Sequence, residues 1–312
     1  MSATFAFVFP GQGSQSIGML AELSAQYPLI QETFKEASDV LGYDMWSLTQ
    51  HGPKKYLSQT DKTQPAILTA SIALWRLWLS KGGERPAYVA GHSLGEYSAL
   101  VATDSVSFVE AVKLVERRGQ LMQEAVPAGH GGMAAILGLD NIVVIEVCAE
   151  AAHDEVVSVA NFNSPGHVVI SGTKAAVVRA IEGCKARGAK LTLPLLVSVP
   201  SHCKLMRPAA ERFAESIFAI NWQTPQIPLV QNVSATFAAD LNTLQCDLLR
   251  QLYKPVRWVE LIQTLVANSV TKLVECGPGK VLTGLNKRCA DGVSVANLNT
   301  LDAFAAARAA LS

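Results

Sequence analysis

A serine flanked by two glycines is the part of the sequence best suited to covalent chemistry. Gly91-His92-Ser93-Leu94-Gly95 follows a short apolar run, and the residues after it have the composition of a helix. This is the G-x-S-x-G pattern of a nucleophile elbow, a strand-to-helix turn so tight that its two glycines crowd each other. Such a turn raises the hydroxyl above the sheet and directs backbone N–H groups towards it. We therefore predict a nucleophilic Ser93; the alternative is an ordinary turn with incidental glycines.

A serine nucleophile needs a base, and His202 is the histidine best placed to supply one. Four others lie in predicted turns or at helix ends, where a solvated surface position is the simpler interpretation: His51, His130, His153 and His167. His92 adjoins the serine, but neighbours in an elbow diverge, so we expect a structural role. His202 follows a strand-like run and Pro200, on a loop at a sheet edge where active sites of α/β folds gather. No acid stands out as a third member, and a backbone or amide carbonyl could accept the Nδ1 proton instead.

Arg118 lies on the apolar face of a predicted helix over 108–125. Val115 precedes it by three residues and Met122 follows it by four, whereas Arg117 falls on the polar face. A guanidinium that faces inward stays charged and therefore requires an anionic partner. Two interpretations remain open: a structural salt bridge with a protein carboxylate, or a bidentate pair with the carboxylate of a substrate.

The elements that must hold these side chains alternate between strand and helix. The predicted strands are 4–9, 86–90, 227–231 and 271–275, and the predicted helices are 17–40, 64–79, 108–125, 203–219, 241–252 and one beginning at 256. Helix 64–79 is apolar nearly all round, which indicates burial. This alternation predicts an α/β fold, with a parallel sheet covered by helices.

The middle of the chain has a different order. Strands are predicted over 131–139, 156–160, 167–171 and 189–195, and helices over 140–152 and 174–187. The resulting β-α-β-β-α-β sequence is the ferredoxin-like arrangement. We predict a smaller α+β subdomain over 128–198, inserted into a core formed by 1–127 and 199–312.

Composition excludes several classes of protein. The 312 residues are 49% hydrophobic and 17% charged, as expected for a globular protein with a large core. Lys plus Arg and Asp plus Glu both number 26, without the basic excess typical of nucleic-acid binding. The N-terminus lacks the basic region of a signal peptide, and no apolar run approaches the ~18 residues of a membrane span. We therefore expect a cytoplasmic protein that binds neither nucleic acid nor membrane.

The cysteines predict neither a metal site nor disulfides. No two of the six form a C-x-x-C pair, and none has zinc-ligand spacing to a histidine: Cys148, Cys184, Cys203, Cys246, Cys276 and Cys289. Scattered single cysteines are typical of reduced thiols in the cytosol.

Two glycine-rich stretches resemble nucleotide loops only superficially. GQGSQSIG has Ser16 where the dinucleotide motif needs its third glycine. VECGPGKV lacks the upstream glycine of a P-loop and has Val281 after Lys280, where that motif needs Ser or Thr. A nucleotide-binding module is therefore a poor alternative to an enzyme.

Eight segments together give the chain a resemblance along its whole length. They are FVFPGQGSQ, QPAI at 64–67, GHSLGEYSAL at 91–100, RGQLMQ at 118–123, NFNSPGHVVISG at 161–172, SVPSH at 198–202, QLYKPVRW at 251–258 and ECGPGKVLTGL at 275–285. With these segments the chain resembles the malonyl-CoA:acyl carrier protein transacylases of bacterial fatty-acid synthesis. The G-x-S-x-G motif alone would be shared with many esterases; its combination with PGQGSQ, the arginine and PSH is specific.

The resemblance implies a role for each candidate residue. Ser93 would be the nucleophile and His202 its base, while the backbone N–H groups of Gln12 and Leu94 would form the oxyanion hole. Arg118 would bind the malonyl carboxylate. The backbone carbonyl of a glutamine that matches Gln251 would orient the histidine, and we group Gln251 with Arg118 on the substrate side of the site.

The resemblance also implies a reaction and its partners. The enzyme would move a malonyl group from malonyl-CoA to the pantetheine thiol of an acidic, transiently bound acyl carrier protein, as a monomer and without metal or cofactor. Its fold would be a hydrolase-like α/β core with a ferredoxin-like insertion. The alternative is a serine hydrolase or thioesterase, which would share the elbow, base and oxyanion hole and differ in the fate of the acyl-enzyme.

Overall fold

A computed structural model describes residues 4–195 and 199–311 of the chain. In chain order, the strands are β1 (Phe5–Phe9), β2 (Tyr88–Gly91), β3 (Gly131–Leu137), β4 (Val157–Ser164), β5 (His167–Thr173), β6 (Leu191–Pro194), β7 (Leu229–Val230), β8 (Lys272–Glu275) and β9 (Ser294–Asn297). They form two sheets, one of five strands and one of four. The predicted fold class, a parallel-sheet core with a small α+β subdomain, is confirmed.

The helices cover both sheets. They are α1 (Ala21–Gln26), α2 (Leu29–Leu41), α3 (Met45–His51), α4 (Lys54–Leu57), α5 (Thr60–Ser80), α6 (Gly95–Ala102), α7 (Phe108–Ala125), α8 (Asn141–Ala152), α9 (Lys174–Ala186), α10 (Arg207–Ala219), α11 (Leu241–Arg250), α12 (Trp258–Ala267), α13 (Val281–Cys289) and α14 (Leu301–Leu311). None of the described helices is long and apolar enough to cross a membrane.

The five-stranded sheet is parallel, with the order β7-β2-β1-β8-β9. Central strand β1 is buried along its whole length, as a strand covered by helices on both faces must be. Phe5, Phe7 and Phe9 face the larger core under α5 and α7, whereas Ala6 and Val8 face α12 and α13 on the other side. Strand β2, which the serine follows, lies next to this central strand, between β1 and β7.

The four-stranded sheet is antiparallel, with the order β4-β5-β3-β6. Counted within this unit, the order is 2-3-1-4, which is the ferredoxin-like arrangement that the sequence predicted. Helices α8 and α9 share an apolar core with one face of the sheet, including Ile136 and Ile170. The opposite face carries a smaller cluster with Met133 and Val169. The boundaries at 128 and 198 stay a prediction, and residue 198 lies outside the described residues.

Several elements differ from the sequence-based expectation. The predicted helix over 17–40 is two helices, because Pro28 has no N–H to donate and interrupts the ladder between α1 and α2. Helix α5 begins four residues before residue 64, and β7 is reduced to two residues. Helices α3, α4, α13 and α14 and strand β9 were not predicted; most are short, so their periodicity is weak.

Candidate active site

Ser93 occupies a strained turn between β2 and α6. Its φ is 53°, in the left-handed region that non-glycine residues rarely adopt. A Cβ atom on Gly91 would overlap the backbone of Gly95, and one on Gly95 would overlap the carbonyl group of Phe9. The crowding expected from the motif is therefore present, and it explains why both flanking positions are glycine.

Asn232 holds this turn on both sides of the serine. Its Oδ1 accepts a hydrogen bond of 2.7 Å from the Ser93 backbone N–H, and its Nδ2 donates one of 2.6 Å to the Gly91 carbonyl. The side chain is fully buried on the loop after β7, the neighbour of β2 in the sheet. Sequence analysis missed Asn232; its only signal is a polar residue directly after a predicted strand, at the edge where such sites gather.

His202 lies against the serine hydroxyl. Its Nε2 is 2.8 Å from Ser93 Oγ, and its Nδ1 is 2.6 Å from the backbone carbonyl oxygen of Gln251. Because a carbonyl oxygen can only accept, Nδ1 carries the proton and Nε2 is free to accept from the hydroxyl. The carbonyl thus takes the place of the acid that the sequence did not offer.

Burial sets the protonation state of this histidine. It lowers the pKa of His202 to about 3, and the positive charge of Arg118 acts in the same direction, while the hydrogen bond to the Gln251 carbonyl opposes it. The imidazole is therefore neutral at neutral pH, the form that can accept a proton from Ser93.

Arg118 is buried beside the same hydroxyl. Its Nη1 donates to Gln64 Oε1 at 2.8 Å and its Nη2 to Gln251 Oε1 at 2.9 Å, with Ser93 Oγ at 3.4 Å from Nη2. Its guanidinium also lies over the Tyr97 ring, 5.5 Å from the ring centroid. Within 4–195 and 199–311, no carboxylate forms an ion pair with Arg118. The described protein supplies amide oxygens to this cation, but no anion.

Gln251 connects these groups. Besides accepting from His202 and Arg118, it donates through Nε2 to the Ser93 carbonyl at 2.9 Å and to Glu96 Oε2 at 2.6 Å. Burial raises the pKa of Glu96 to about 8, although hydrogen bonding from Gln251 acts in the opposite direction. A Glu96 carboxyl that is mostly protonated at neutral pH leaves the charge of Arg118 unbalanced. Neither Glu96 nor Gln64 was singled out from the sequence.

The two predicted oxyanion-hole residues line the same cavity as Ser93. Leu94 immediately precedes α6, and Gln12 lies on the loop after β1. Neither backbone N–H donates a hydrogen bond to another residue of the described part of the chain. Both N–H groups therefore remain available in the described structure, as donors to a developing oxyanion must be.

The cavity has a volume of ≈190 Å³ and lies between the two sheets. Ser93, His202 and Arg118 form its polar end. Its apolar wall is shared between the small sheet, the core helix α7 and the start of α13: Met122, Met133, Val169, Leu195, Val281, Leu282 and Leu285. Among the described residues, no cluster of three or more His, Cys, Asp or Glu side chains is arranged to hold a metal ion.

His92 joins the elbow to the small sheet. Its Nε2 lies 2.9 Å from Asn163 Oδ1 on β4, and its ring packs 5.3 Å from that of Trp258. Burial lowers the pKa of His92, so the ring is neutral. These contacts support the structural role expected for His92. The remaining four histidines are outside the cavity.

This arrangement is chemically suited to acyl transfer through a serine ester. A neutral imidazole can take the proton of the hydroxyl, and Gln12 and Leu94, which line the same cavity, have backbone N–H groups without a partner among the described residues. Beside the serine lies a cation that has no counterion among those residues. The cation would favour an acyl group that ends in a carboxylate.

Comparison with known proteins places this site in a family. The acyl transferase domain model matches residues 6–300. A malonyl CoA-acyl carrier protein transacylase of Salmonella typhimurium is 56% identical over 303 residues, which cover 97% of this chain and 98% of the relative. That of Haemophilus influenzae is 52% identical over 301 residues, covering 96% of each.

Solved structures give the same result. An acyl carrier protein S-malonyltransferase of Vibrio cholerae matches with a TM-score of 0.95 at 54% identity, covering 98% of this chain and 100% of that one. A malonyl-transacylase in complex with a type II PKS acyl-carrier protein matches with a TM-score of 0.97 at 52% identity, covering 98% and 99%. The chain therefore belongs to the family of malonyl CoA-acyl carrier protein transacylases, within the wider acyl transferase domain family.

Proposed function

We propose that this enzyme transfers the malonyl group of malonyl-CoA to the pantetheine thiol of an acyl carrier protein through a malonyl-Ser93 intermediate. The observation that carries the proposal is the position of Arg118, a buried cation without a counterion among the described residues, whose Nη2 lies 3.4 Å from Ser93 Oγ. A malonyl group on that oxygen would bring its free carboxylate to the guanidinium. The names of the relatives support both substrates, since they are malonyl CoA-acyl carrier protein transacylases.

In the first half-reaction, Ser93 Oγ attacks the thioester carbonyl carbon while His202 Nε2 takes the hydroxyl proton. The backbone N–H groups of Gln12 and Leu94 stabilise the negative oxygen of the tetrahedral intermediate. When the intermediate collapses, the carbon–sulfur bond breaks and His202 returns its proton to the sulfur of CoA. The products are malonyl-Ser93 and free CoA.

The second half-reaction runs in the opposite sense with a different thiol. His202 takes the proton of the pantetheine thiol, whose sulfur attacks the ester carbonyl of malonyl-Ser93. The carbon–oxygen bond to Ser93 then breaks, and the serine oxygen recovers the proton from His202. Neither step requires a metal or a redox cofactor to balance.

Arg118 and Gln251 would act on the substrate side. A guanidinium can bind a carboxylate through two parallel hydrogen bonds, and no carboxylate of the described part of the chain forms an ion pair with this one. Gln251 Oε1 accepts from Nη2 and holds the guanidinium in place. The carbonyl of the same glutamine orients His202, so Gln251 would serve both the substrate and the base.

A serine hydrolase would use the same elbow and base, but the family relationship favours the transferase. Incubation with malonyl-CoA, with and without carrier protein, distinguishes the two by mass spectrometry of the intact protein. A transferase accumulates a malonyl adduct that disappears when carrier protein is added, whereas a hydrolase releases malonate without it. Ser93→Ala should show no adduct, and an adduct that persists in this variant would remove Ser93 from the mechanism.

Basic residues near the cavity would bind the acidic carrier protein. Lys204 follows His202, and exposed Lys280, Lys287 and Arg288 surround or lie in α13, whose first residues line the cavity. By contrast, Lys185 pairs with Glu182 on α9, which packs on the face of the small sheet away from the cavity. We infer that the carrier protein docks beside α13 rather than on α9.

We further propose a monomeric, cytoplasmic enzyme of fatty-acid synthesis. The six cysteines are all free, five of them buried, which is consistent with a reducing compartment. Size-exclusion chromatography with light scattering tests the monomer, and a concentration-independent dimer would contradict it.

A further inference from the structure

Glu96 is a buried carboxyl next to the site that has no part in the proposed mechanism. It lies in the first turn of α6, three residues after Ser93, and is 1% exposed. It is not among the residues that line the cavity. Glu96 therefore does not touch a substrate there, and any effect it has on the reaction must pass through a neighbouring residue.

The backbone N–H of Asn232 and the side chain of Gln231 also interact with this carboxyl, but the neighbour that connects it to both His202 and Arg118 is Gln251. Glu96 Oε2 accepts a hydrogen bond of 2.6 Å from Gln251 Nε2, whose other hydrogen goes to the Ser93 carbonyl. On the other side of the same carboxamide, Oε1 accepts from Arg118. An inverted amide would point its NH2 group at the guanidinium and its oxygen at two acceptors. Glu96 thus helps to decide which way the Gln251 amide faces.

The orientation of Gln251 matters at two further atoms. Its backbone carbonyl accepts from Nδ1 of His202, and its side-chain oxygen accepts from Nη2 of Arg118. Both contacts are buried, so a displaced Gln251 could not be replaced by solvent. Because Glu96 and the Ser93 carbonyl hold the Gln251 side chain, they also keep the Gln251 backbone carbonyl in position to accept from His202.

We propose that Glu96 is a positioning residue, which by accepting from Gln251 Nε2 holds Gln251 in the orientation that aligns His202 and Arg118. This inference rests on the proposed function. Its experimental signature is specific: the effect of Glu96 on the rate should depend on the presence of the Gln251 side chain.

The test compares Glu96→Met and Glu96→Gln with Ser98→Ala as the control. Methionine fills the space without offering an acceptor of comparable strength, whereas glutamine can present its carbonyl oxygen to Gln251 Nε2. Ser98 lies on the same helix, is fully buried, and its hydroxyl has no hydrogen-bond partner among the described residues. The measured quantity is the rate constant for forming malonyl-Ser93 in a single turnover, with the melting temperature recorded for each variant.

We expect Glu96→Met to lower this rate constant about 10-fold, the upper end of the fold-change for one lost hydrogen bond between neutral groups. The rate constant of Glu96→Gln should stay within about threefold of the wild-type value, and that of Ser98→Ala should equal the wild-type value. In a Gln251→Ala background, Glu96→Met should lower the rate constant little further, because the carboxamide through which Glu96 acts is already absent. The His202 Nδ1 proton signal should broaden or shift in Glu96→Met and remain in Ser98→Ala.

Three results would overturn the inference: a wild-type rate in Glu96→Met, equal losses in the Met and Gln variants, or additive losses in the double variant. If Glu96→Met does not fold, the Gln variant and its pairing with Gln251→Ala still decide the question, because a large additive loss there contradicts positioning through the amide. Failure of the proposed function can be distinguished from failure of this inference, because in that case the wild-type enzyme itself would form no malonyl adduct.

Discussion

Ser93 Oγ lies 2.8 Å from His202 Nε2, and both residues have a left-handed backbone conformation, with φ values of 53° and 61°. Neither residue is a glycine, so each conformation costs backbone free energy that the surrounding contacts must offset. Asn232 holds the first turn, and a hydrogen bond from His202 N–H to the Leu252 carbonyl helps hold the second. The fold itself thus holds in contact the two groups that we propose to react.

Replacement of Arg118 should change substrate preference rather than stability. In Arg118→Ala a malonyl carboxylate is left buried without its partner, which costs about 3–5 kcal/mol, or about 10²–10³-fold in kcat/KM for malonyl-CoA. Acetyl-CoA has no carboxylate, so its transfer should be spared or improved. Arg118→Lys should recover little, because an ammonium cannot form two parallel bonds.

The matched control for this prediction is Arg117→Ala, on the polar face of the same helix. It should leave both thioesters unaffected. Parallel losses for malonyl-CoA and acetyl-CoA in Arg118→Ala, together with a lower melting temperature, would instead identify Arg118 as structural.

As the pH is lowered, the acylation rate should begin to fall only at a pH far below the ordinary pKa of histidine. Because burial and Arg118 lower the pKa of His202 to about 3, its base form persists as the pH falls from about 7 to about 5. Stopped-flow acylation should therefore show no loss of rate in that interval. A sigmoidal loss centred near pH 6.5 would show that the essential base has an unperturbed pKa.

Removing Arg118 should move this fall in rate to higher pH. The positive charge disfavours the imidazolium, so its loss raises the pKa of His202. With acetyl-CoA as the substrate, Arg118→Ala should consequently lose rate at a higher pH than the wild type does. An unchanged pH dependence would indicate that burial alone sets the protonation of His202.

Carrier-protein binding should depend on the charges around α13. Lys280→Ala and Lys287→Ala should each raise the KM for carrier protein, by up to about fivefold, the upper range for an exposed ion pair. Lys185→Ala on α9 is the control of equal charge and should have no effect. Rising salt should weaken use of the carrier protein more than use of malonyl-CoA, and equal sensitivity would contradict an electrostatic dock.

Glu96 should make the stability of the protein fall as pH rises. Its pKa is about 8 in the folded protein, above the unfolded value of 4.5, so the folded state holds the proton more tightly. The stabilisation is fully present below about pH 4.5 and is lost as pH rises through about 8. The melting temperature of Glu96→Gln minus that of the wild type should therefore increase across this interval. A difference that is constant with pH would contradict a raised pKa.

The sequence by itself determined the candidate reacting groups and the elements that carry them. The glycines around Ser93 predict the elbow because only that backbone geometry needs both of them. The apolar spacing around Arg118 predicts a buried cation, and the alternation of strands and helices predicts both sheets. The first two signals are local, since each depends on residues within one turn or one helix, and the alternation requires only the order of the elements along the chain.

Only the tertiary structure decided which polar groups support the reacting ones. Asn232 is 139 residues from Ser93 in the chain, and Gln251 is 155 from Glu96. Periodicity shows which face of an element is buried, but not which element covers it, so contacts across such separations leave no pattern in the sequence. The acid missing from the sequence is replaced by the backbone carbonyl of Gln251. The family resemblance implied this carbonyl, but no residue pattern indicates it, because every residue has one. His202 could be singled out from the sequence by its residue type and its position. The contact between Glu96 and Gln251, which we propose aligns His202, is visible only in the folded chain.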